Sequence, residues 1–304
     1  MQKNNLKHYL HLHFLVFIAG FTAILGEALN QSDTISISSI SLVWHRIFIA
    51  LVLTFLFLLY RGYNLKINLK DFFKFSIAGI IIALHWITFF EAIEQSNISI
   101  TLAMFSTGAF FASLIEPIFF KRKVRLVEII LGFLVICGVF IILKANVNSF
   151  LGVILGITSA LLASLFSVLN GKLVQKNNPV LISFYEFLSG VFFIFLYLIF
   201  SDNLIDLTIP SFLSYDYLYI LILGSICTAY AFIASVHVLR FLSPYTLVLT
   251  YNLEPVYGIL LAIFIFPETE KMGFSFYIGT LMIISTIIIN SFIKFKSSKK
   301  ISSF

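Results

Sequence analysis

Five acidic or basic side chains of this sequence lie inside long apolar runs, where a charge is costly and therefore informative. They are Glu27, Arg46, Glu91, Glu186 and Glu254, and the less costly histidines His45, His85 and His237 join them. A charged group in the middle of a membrane span costs about 3 kcal/mol, so such groups pair with one another or face a wet cavity. A cation and a carboxylate at one site could bind the carboxylate and amine of an amino-acid-like molecule. A further carboxylate could carry a proton.

Arg46 and Glu186 are the best candidates for such a pair. When the second and seventh apolar runs are aligned at their ends, Tyr60 and Phe200, Arg46 lies opposite Glu186 and the residue before Glu186 is Tyr185. In an inverted repeat, such positions come near the pseudo-two-fold axis at the bilayer midplane. We therefore expect Arg46 and Glu186 to form either a substrate site, which Tyr185 would help to shape, or a structural ion pair, and the sequence does not separate the two.

The stretch Tyr251-Asn-Leu-Glu-Pro255 predicts a broken helix. Pro255 has no N–H, so the carbonyl of Tyr251 loses its helical donor. Broken helices inside a membrane are tolerated where they line protein or a cavity. We therefore expect Tyr251 and Asn252 to shape a substrate site, with Tyr230 and Trp86 as further candidates for it.

Glu91 and Glu254 are the candidates for a coupling proton. Glu91 lies about one turn inside the predicted outer end of the third span, where a carboxylate can also simply reach the outer surface. The sequence contains no phosphate-binding G-x-x-x-x-G-K-[ST] loop, so ATP hydrolysis by that route is excluded. No metal site or cofactor is predicted, and any energy would come from ion or solute gradients or from a partner chain.

Ten apolar segments of membrane-spanning length position these residues. The chain is 60% hydrophobic and 11% charged, whereas a soluble domain carries about 25% charged residues. A span needs ~20 apolar residues, so 304 residues leave no room for a soluble domain. The predicted spans cover 10–29, 40–60, 72–93, 98–120, 125–143, 150–172, 180–200, 216–238, 244–266 and 273–293.

Basic residues lie in every second connection between these spans. Of the 20 Lys and Arg residues, only Lys144 and Lys271 lie in the other loops, and Arg46 lies within a span. Basic loops stay in the cytoplasm, so both termini are predicted to be cytoplasmic and the protein multi-pass in the cell inner (plasma) membrane. The net charge of +6 therefore reflects the loops, and we predict no nucleic-acid partner.

A faint internal repeat divides the chain into residues 1–148 and 149–304. At a constant offset of 145, three residues of the first half have identical partners in the second, namely Asp71 with Asp216, Gly79 with Gly224 and Thr101 with Thr246. Five spans per half is an odd number, so the second half enters the membrane from the opposite side. Inverted repeats of this kind are typical of secondary transporters.

This organisation resembles the drug/metabolite transporter superfamily, and within it the EamA family. The matching stretches are Leu42–Ala50, Ala83–Ile93 and Leu253–Tyr257. The resemblance implies a central cavity lined by spans one to four and six to nine, with the fifth and tenth outside. Arg46 and Pro255 would match the arginine of the family's second helix and the proline of its ninth. Members move amino acids, other metabolites or drugs, often outward.

We therefore expect an all-α integral membrane protein of ten transmembrane helices, arranged as two inverted five-helix repeats. Its expected function is secondary transport, mainly export, of a small amino-acid-like or amphiphilic metabolite by alternating access. The expected partners are this substrate, protons and the lipid bilayer, and the sequence does not show whether the chain forms a homodimer. An uncoupled facilitator or exchanger, a membrane-embedded lipid-modifying enzyme and a helper subunit of a larger complex remain as alternatives.

Overall fold

A computed structural model describes residues 2–32, 37–121, 123, 126–145, 147–201 and 214–301, and these are almost entirely helical. The first half contains α1 Gln2–Asn30, α2 Ser39–Tyr60, α3 Leu69–Glu94, α4 Ile98–Phe105, α5 Gly108–Phe120 and α6 Leu126–Ala145. A short 3-10 turn, Val147–Ser149, leads into the second half. That half contains α7 Phe150–Leu173, α8 Pro179–Phe200, α9 Tyr215–Gly224, α10 Ala231–Val238, α11 Pro244–Tyr251, α12 Glu254–Ile265 and α13 Phe274–Ile301, with a π-helix, Ser225–Tyr230, between α9 and α10.

Several helices begin at a serine or asparagine cap that the sequence itself supplies. The side-chain oxygen of a cap residue accepts a hydrogen bond from a free N–H of the first turn. This geometry is found at Ser38, Asn68, Asn97, Asn178, Ser214 and Ser243. The starts of the corresponding spans therefore follow from local sequence, close to where hydropathy places them.

Eight of the ten predicted spans are confirmed as helical segments that are long and apolar enough to cross a membrane. The fifth and tenth are also helical, but their apolar described portions are the shorter segments Ile130–Lys144 and Phe274–Thr286. These two helices, α6 and α13, pack mainly on each other. A Cβ atom added to Gly138 would lie 2.8 Å from the carbonyl oxygen of Gly279, so the two backbones approach closely at these glycines.

The fourth and ninth spans are both broken near their middles. In the ninth, α11 ends at Tyr251 and α12 starts at Glu254, as Pro255 predicts. In the fourth, α4 ends at Phe105 and α5 starts at Gly108, although no proline lies at the break. There Ser106 and Thr107 donate their hydroxyls to backbone carbonyls one turn back, at 3.1 and 2.7 Å.

Two glycines at repeat-related positions make related contacts. Gly79 of α3 packs on the backbone of Glu186 in α8, where an added Cβ atom would overlap the carbonyl oxygen of Glu186. Gly224, its partner at the offset of 145, packs on α2, where an added Cβ atom would lie 3.1 Å from the carbonyl oxygen of Arg46. The alignment that places Arg46 opposite Glu186 is thus reproduced in the packing of their backbones.

Glutamate side chains hold the fourth and ninth spans together at both ends. After α12, Glu270 accepts hydrogen bonds from the backbone N–H groups of Ile98 and Ser99, the first residues of α4, at 2.9 and 3.0 Å. Near the end of α5, Glu116 accepts one from the backbone N–H of Tyr245 in α11, at 3.1 Å. Each span therefore begins at a helix N-terminus that a carboxylate of the other half caps. We call the Glu270 contacts the outer clasp and the Glu116 contact the inner clasp, following the predicted orientation.

Candidate functional site

A cavity of about 140 Å³ lies between the two halves of the molecule. Residues of seven spans line it, from the first four and from the sixth, eighth and ninth. Its walls are mostly apolar and aromatic, with Trp86, Phe89 and Phe232 among them. The fifth and tenth spans contribute nothing to this lining, as the family resemblance implies, and neither does the seventh span, which the resemblance had included.

Among the residues that the structure describes, Arg46 is the only Lys or Arg side chain that lines the cavity. Its Nε donates a hydrogen bond to the hydroxyl of Thr228 at 2.9 Å, and its guanidinium lies over the ring of Trp86, 4.4 Å from the centroid. Arg46 is only 1% exposed, and its Nη1 has no hydrogen-bond partner among the described residues. A buried guanidinium N–H without an acceptor, on a residue of a cavity wall, is a ready donor for an anionic ligand.

The π-helix between α9 and α10 places the partner of Arg46. In this turn the Thr228 hydroxyl donates to the carbonyl of Leu223 at 2.6 Å, so its lone pairs remain to accept from Arg46. Single π-helical turns often occur at functional sites. Thr228 is not predictable from the sequence, because a threonine within an apolar run carries no signal of its own.

The break in the ninth span brings three predicted residues to the cavity. Tyr251, Asn252 and Glu254 all line it. The hydroxyl groups of Tyr251 and Ser235 are hydrogen-bonded at 2.8 Å. Asn252 is 3% exposed, and its side-chain Nδ2 has no partner among the described residues. A second residue of the cavity wall thus carries an unused donor, in addition to Arg46.

A buried histidine also lines the cavity wall. His85 Nδ1 lies 2.8 Å from the hydroxyl of Ser159 and 3.0 Å from its carbonyl oxygen. This contact joins α3 to α7, two helices that pack along their length. The histidine therefore has a structural partner, and Nδ1 carries the proton if it donates to the Ser159 carbonyl.

The expected contact between Arg46 and Glu186 is absent. Glu186 is fully buried in α8 but does not line the cavity, and its Oε1 accepts a hydrogen bond from the Asn170 amide at 2.8 Å. Arg46 instead shares the cavity with Glu254. The two residues occupy related places in the repeats, but their side chains point to different surroundings.

Three other predicted residues lie outside the cavity as well. Tyr185 donates its hydroxyl to the carbonyl of Leu65 at 2.6 Å. Tyr230 is 45% exposed, and its hydroxyl lies 3.0 Å from His11 Nε2. Glu91 accepts a hydrogen bond from the Gln95 amide at 3.0 Å, near the end of α3. Their roles in binding or proton coupling stay predictions, without support from the cavity geometry.

No group of three or more His, Cys, Asp or Glu side chains that could hold a metal ion occurs among the residues that the structure describes. Both cysteines are free, with Cys227 on the cavity wall and Cys137 on α6. The polar groups of the cavity are thus hydrogen-bond donors and acceptors suited to reversible binding of an organic molecule.

Comparison with known proteins agrees with this architecture. A solved crystal structure superposes on 94% of this chain and 98% of its own, with a TM-score of 0.67 at 14% sequence identity, which shows a shared fold. No curated protein matches the sequence significantly. The sequence profile of the EamA-like transporter family matches twice, over residues 7–144 and 150–292. The chain is therefore a multi-pass membrane protein that belongs to the EamA-like transporter family.

Proposed function

We propose that this protein is a secondary transporter that exports a small zwitterionic or amphiphilic metabolite across the cell inner (plasma) membrane. The cavity between the halves would be the substrate site, near the bilayer midplane, where transporters built from repeats bind their cargo. Both termini would lie in the cytoplasm, because the basic loops are expected there. The halves would be inverted repeats, which the related contacts of Gly79 and Gly224 support.

The observation that carries this proposal is the unused donor capacity around Arg46. Arg46 Nη1 and Asn252 Nδ2 are buried donors that no described residue accepts from, and both residues line the cavity. Leaving a buried donor unsatisfied costs about 1–3 kcal/mol, and a substrate carboxylate would recover that cost. Glu254 would face the amine of the same molecule, and Trp86 and Phe232 would enclose its apolar part.

The clasps suggest how access could alternate. If the outer clasp of Glu270 opened while the inner clasp of Glu116 stayed closed, the cavity would face outward, and the reverse would open it inward. Each clasp joins one half to the other, so rocking of the halves would break one clasp at a time. A helix N-terminus prefers an anionic cap, so each clasp would stabilise the state in which it is closed.

The test is flux through proteoliposomes that contain an internal pH dye. A panel of amino acids, nucleosides, organic cations and carboxylates is applied to wild type, to Arg46→Ala and to Arg61→Ala, a matched control that removes an exposed arginine at the end of the same helix. We expect saturable substrate movement that is lost in Arg46→Ala and kept in Arg61→Ala. Equal flux in all three proteins would refute a site at Arg46.

The same assay separates the alternatives. An uncoupled facilitator or exchanger would move substrate without moving protons. Its substrate flux would be the same in wild type, Glu91→Gln and Glu254→Gln. Movement of nothing in the panel would favour a different role, such as a lipid-modifying enzyme or a helper subunit.

A further inference from the structure

Glu186 is a buried acid that the proposed substrate site does not use. Its side chain has no exposed surface, and it lines neither the central cavity nor the small pocket at the opposite end of α3. One carboxyl oxygen accepts from Asn170, but the other, Oε2, has no hydrogen-bond partner within the part of the chain that the structure describes. The group therefore lies in a dry environment with half of its hydrogen-bonding capacity unused.

Two further buried oxygen atoms near Glu186 also lack partners. Asn170 Oδ1 and Ser183 Oγ both belong to fully buried residues and make no hydrogen bond to described residues. Asn170 is in direct contact with Glu186. Ser183 lies three residues earlier on α8, which places it on the same helix face one turn away. Unsatisfied oxygen atoms of this kind are rare in native structures and call for an explanation, such as a functional role.

No cation among the described residues neutralises Glu186. It makes no ion pair, and the helices that pack on α8 are α2, α3 and α10, with α7 supplying Asn170. The charged and titratable groups of these helices have other surroundings: His45 with Ser41, Arg46 with Thr228, Lys74 with Asp71, His85 with Ser159, Glu91 with Gln95, Glu94 with Ser39, Lys172 over Phe119 and Phe120, His237 beside Phe241, and Lys70 exposed.

We propose that Glu186 binds the coupling proton of this transporter, with Asn170 and Ser183 as its hydrogen-bonding partners. The inference rests on the proposed function and deepens it by assigning the proton to a site separate from the substrate cavity. When both clasps are closed, the proton is bound to Glu186 Oε2. It is taken up from water on one side of the membrane and released to water on the other. Asn170 holds Oε1, and the new O–H can donate to a nearby buried oxygen.

A proton suits this site better than a metal cation. An isolated carboxylate in a dry interior is very unfavourable, so the group must be neutralised or paired. A sodium ion would need space and several oxygen ligands, but neither the central cavity nor the small pocket at the end of α3 reaches Glu186. A proton needs neither. Glu186 lies seven residues into α8, about 10 Å along the helix axis. Its predicted route to water is therefore the inner end of the molecule.

The first test detects the proton without any substrate. Infrared difference spectra of reconstituted protein are recorded after pH steps, in H₂O and D₂O, in the region of the protonated carboxyl stretch. We expect a band for a buried protonated carboxyl that is absent in Glu186→Gln and present in Glu91→Gln. Glu186→Asp keeps the acid but moves it by one methylene, so its band should shift rather than vanish. A spectrum that is the same in wild type and Glu186→Gln overturns the proposal.

The second test measures coupling, with radiolabelled L-leucine as a zwitterionic probe that has an apolar side chain. At zero membrane potential, one proton per substrate gives about tenfold accumulation for each unit of pH difference. We expect Glu186→Gln to lose this accumulation and to keep leucine counterflow at equal pH. Counterflow in the variant also shows that it is folded. Accumulation that persists in Glu186→Gln overturns the proposal.

These two tests fail in distinguishable ways. If wild type moves no leucine, the proposed function is weakened for amino acids, and the infrared band still decides whether Glu186 carries a proton. If the band disappears in Glu186→Gln but accumulation is unchanged, Glu186 is a protonated structural residue and the coupling role is wrong. If Arg46→Ala abolishes counterflow while Glu186→Gln retains it, the two sites are separate, as proposed.

Discussion

The outer and inner clasps predict that two single substitutions bias the protein in opposite directions. Glu270→Gln weakens the outer clasp, where one carboxylate accepts two backbone hydrogen bonds at 2.9 and 3.0 Å. The neutral amide has one acceptor oxygen and turns an N–H₂ group toward the second donor. Glu116→Gln weakens the inner clasp, where the carboxylate accepts a hydrogen bond at 3.1 Å from the Tyr245 N–H.

The expected magnitudes follow from these contacts. Hydrogen bonds to a charged group contribute about 1.5–3 kcal/mol each, and Glu270→Gln removes one of the two at Glu270, so it should weaken the outer clasp by about 1.5–3 kcal/mol. Because 1.4 kcal/mol is a factor of ten, this raises the population of the outward-open state about 10- to 150-fold. In Glu116→Gln the amide oxygen can still accept from the Tyr245 N–H and only the charge is lost, so the cost is smaller, about 0.5–1.5 kcal/mol, and the inward-open population should rise by about 2- to 10-fold.

The chain contains its own reporter of access. Cys227 lines the cavity, has 9% of its surface exposed and forms no disulfide. In a Cys137→Ser background it is the sole thiol, and its rate of reaction with a membrane-impermeant maleimide reports how often the cavity opens to that side. Glu270→Gln should accelerate labelling from the outer side alone, and Glu116→Gln should accelerate it from the inner side alone.

A matched control lies in the same loop as Glu270. Glu268 is exposed and pairs only with Lys271, at 2.9 Å. Glu268→Gln should therefore leave labelling from both sides unchanged. The reasoning is refuted if Glu270→Gln and Glu116→Gln accelerate labelling from the same side, or if neither changes the rate beyond that of Glu268→Gln.

Two further predictions concern packing and orientation. Gly79→Ala would force a methyl group into the backbone of Glu186, and such overpacking should lower the free energy of unfolding by about 1–3 kcal/mol. Thermal unfolding in detergent measures this loss. Gly273→Ala is the control that should be tolerated, because nothing lies within 4 Å of the new atom. A cysteine introduced in the loop Ser201–Tyr215 should react with impermeant reagent only from outside the cell, and labelling from inside would contradict the inverted repeat.

The helices and the broken ninth span were predictable because they depend on local properties. An apolar run long enough to cross a bilayer must satisfy its backbone internally, and a helix does so. Serine and asparagine caps set several helix starts. A proline inside a helix kinks or breaks it, and Pro255 does so in the ninth span. For the same reason Tyr251, Asn252 and Glu254 could be assigned to the cavity without knowledge of their neighbours.

The break in the fourth span shows where local reasoning stops. No proline marks it, and Ser106 and Thr107 are common residues whose hydroxyls bond to the backbone in many helices. The helix ends there where its neighbours make the cavity wall, with Phe105 and Gly108 on the lining. A sequence pattern cannot distinguish a serine that stays within a helix from one at which the helix is interrupted, because the difference comes from tertiary contacts.

Hydropathy, loop charge and the repeat offset are enough to predict a bundle of apolar helices with two repeats, and they single out Arg46 and Glu186 as related positions. What each of these side chains faces depends on the tertiary structure. Hydropathy and residue spacing are properties of the linear sequence. A contact between two helices depends instead on the rotation of each helix about its axis and on how closely their backbones approach. Those rotations turn Arg46 toward Thr228 and the cavity, and Glu186 toward Asn170 in a dry interior.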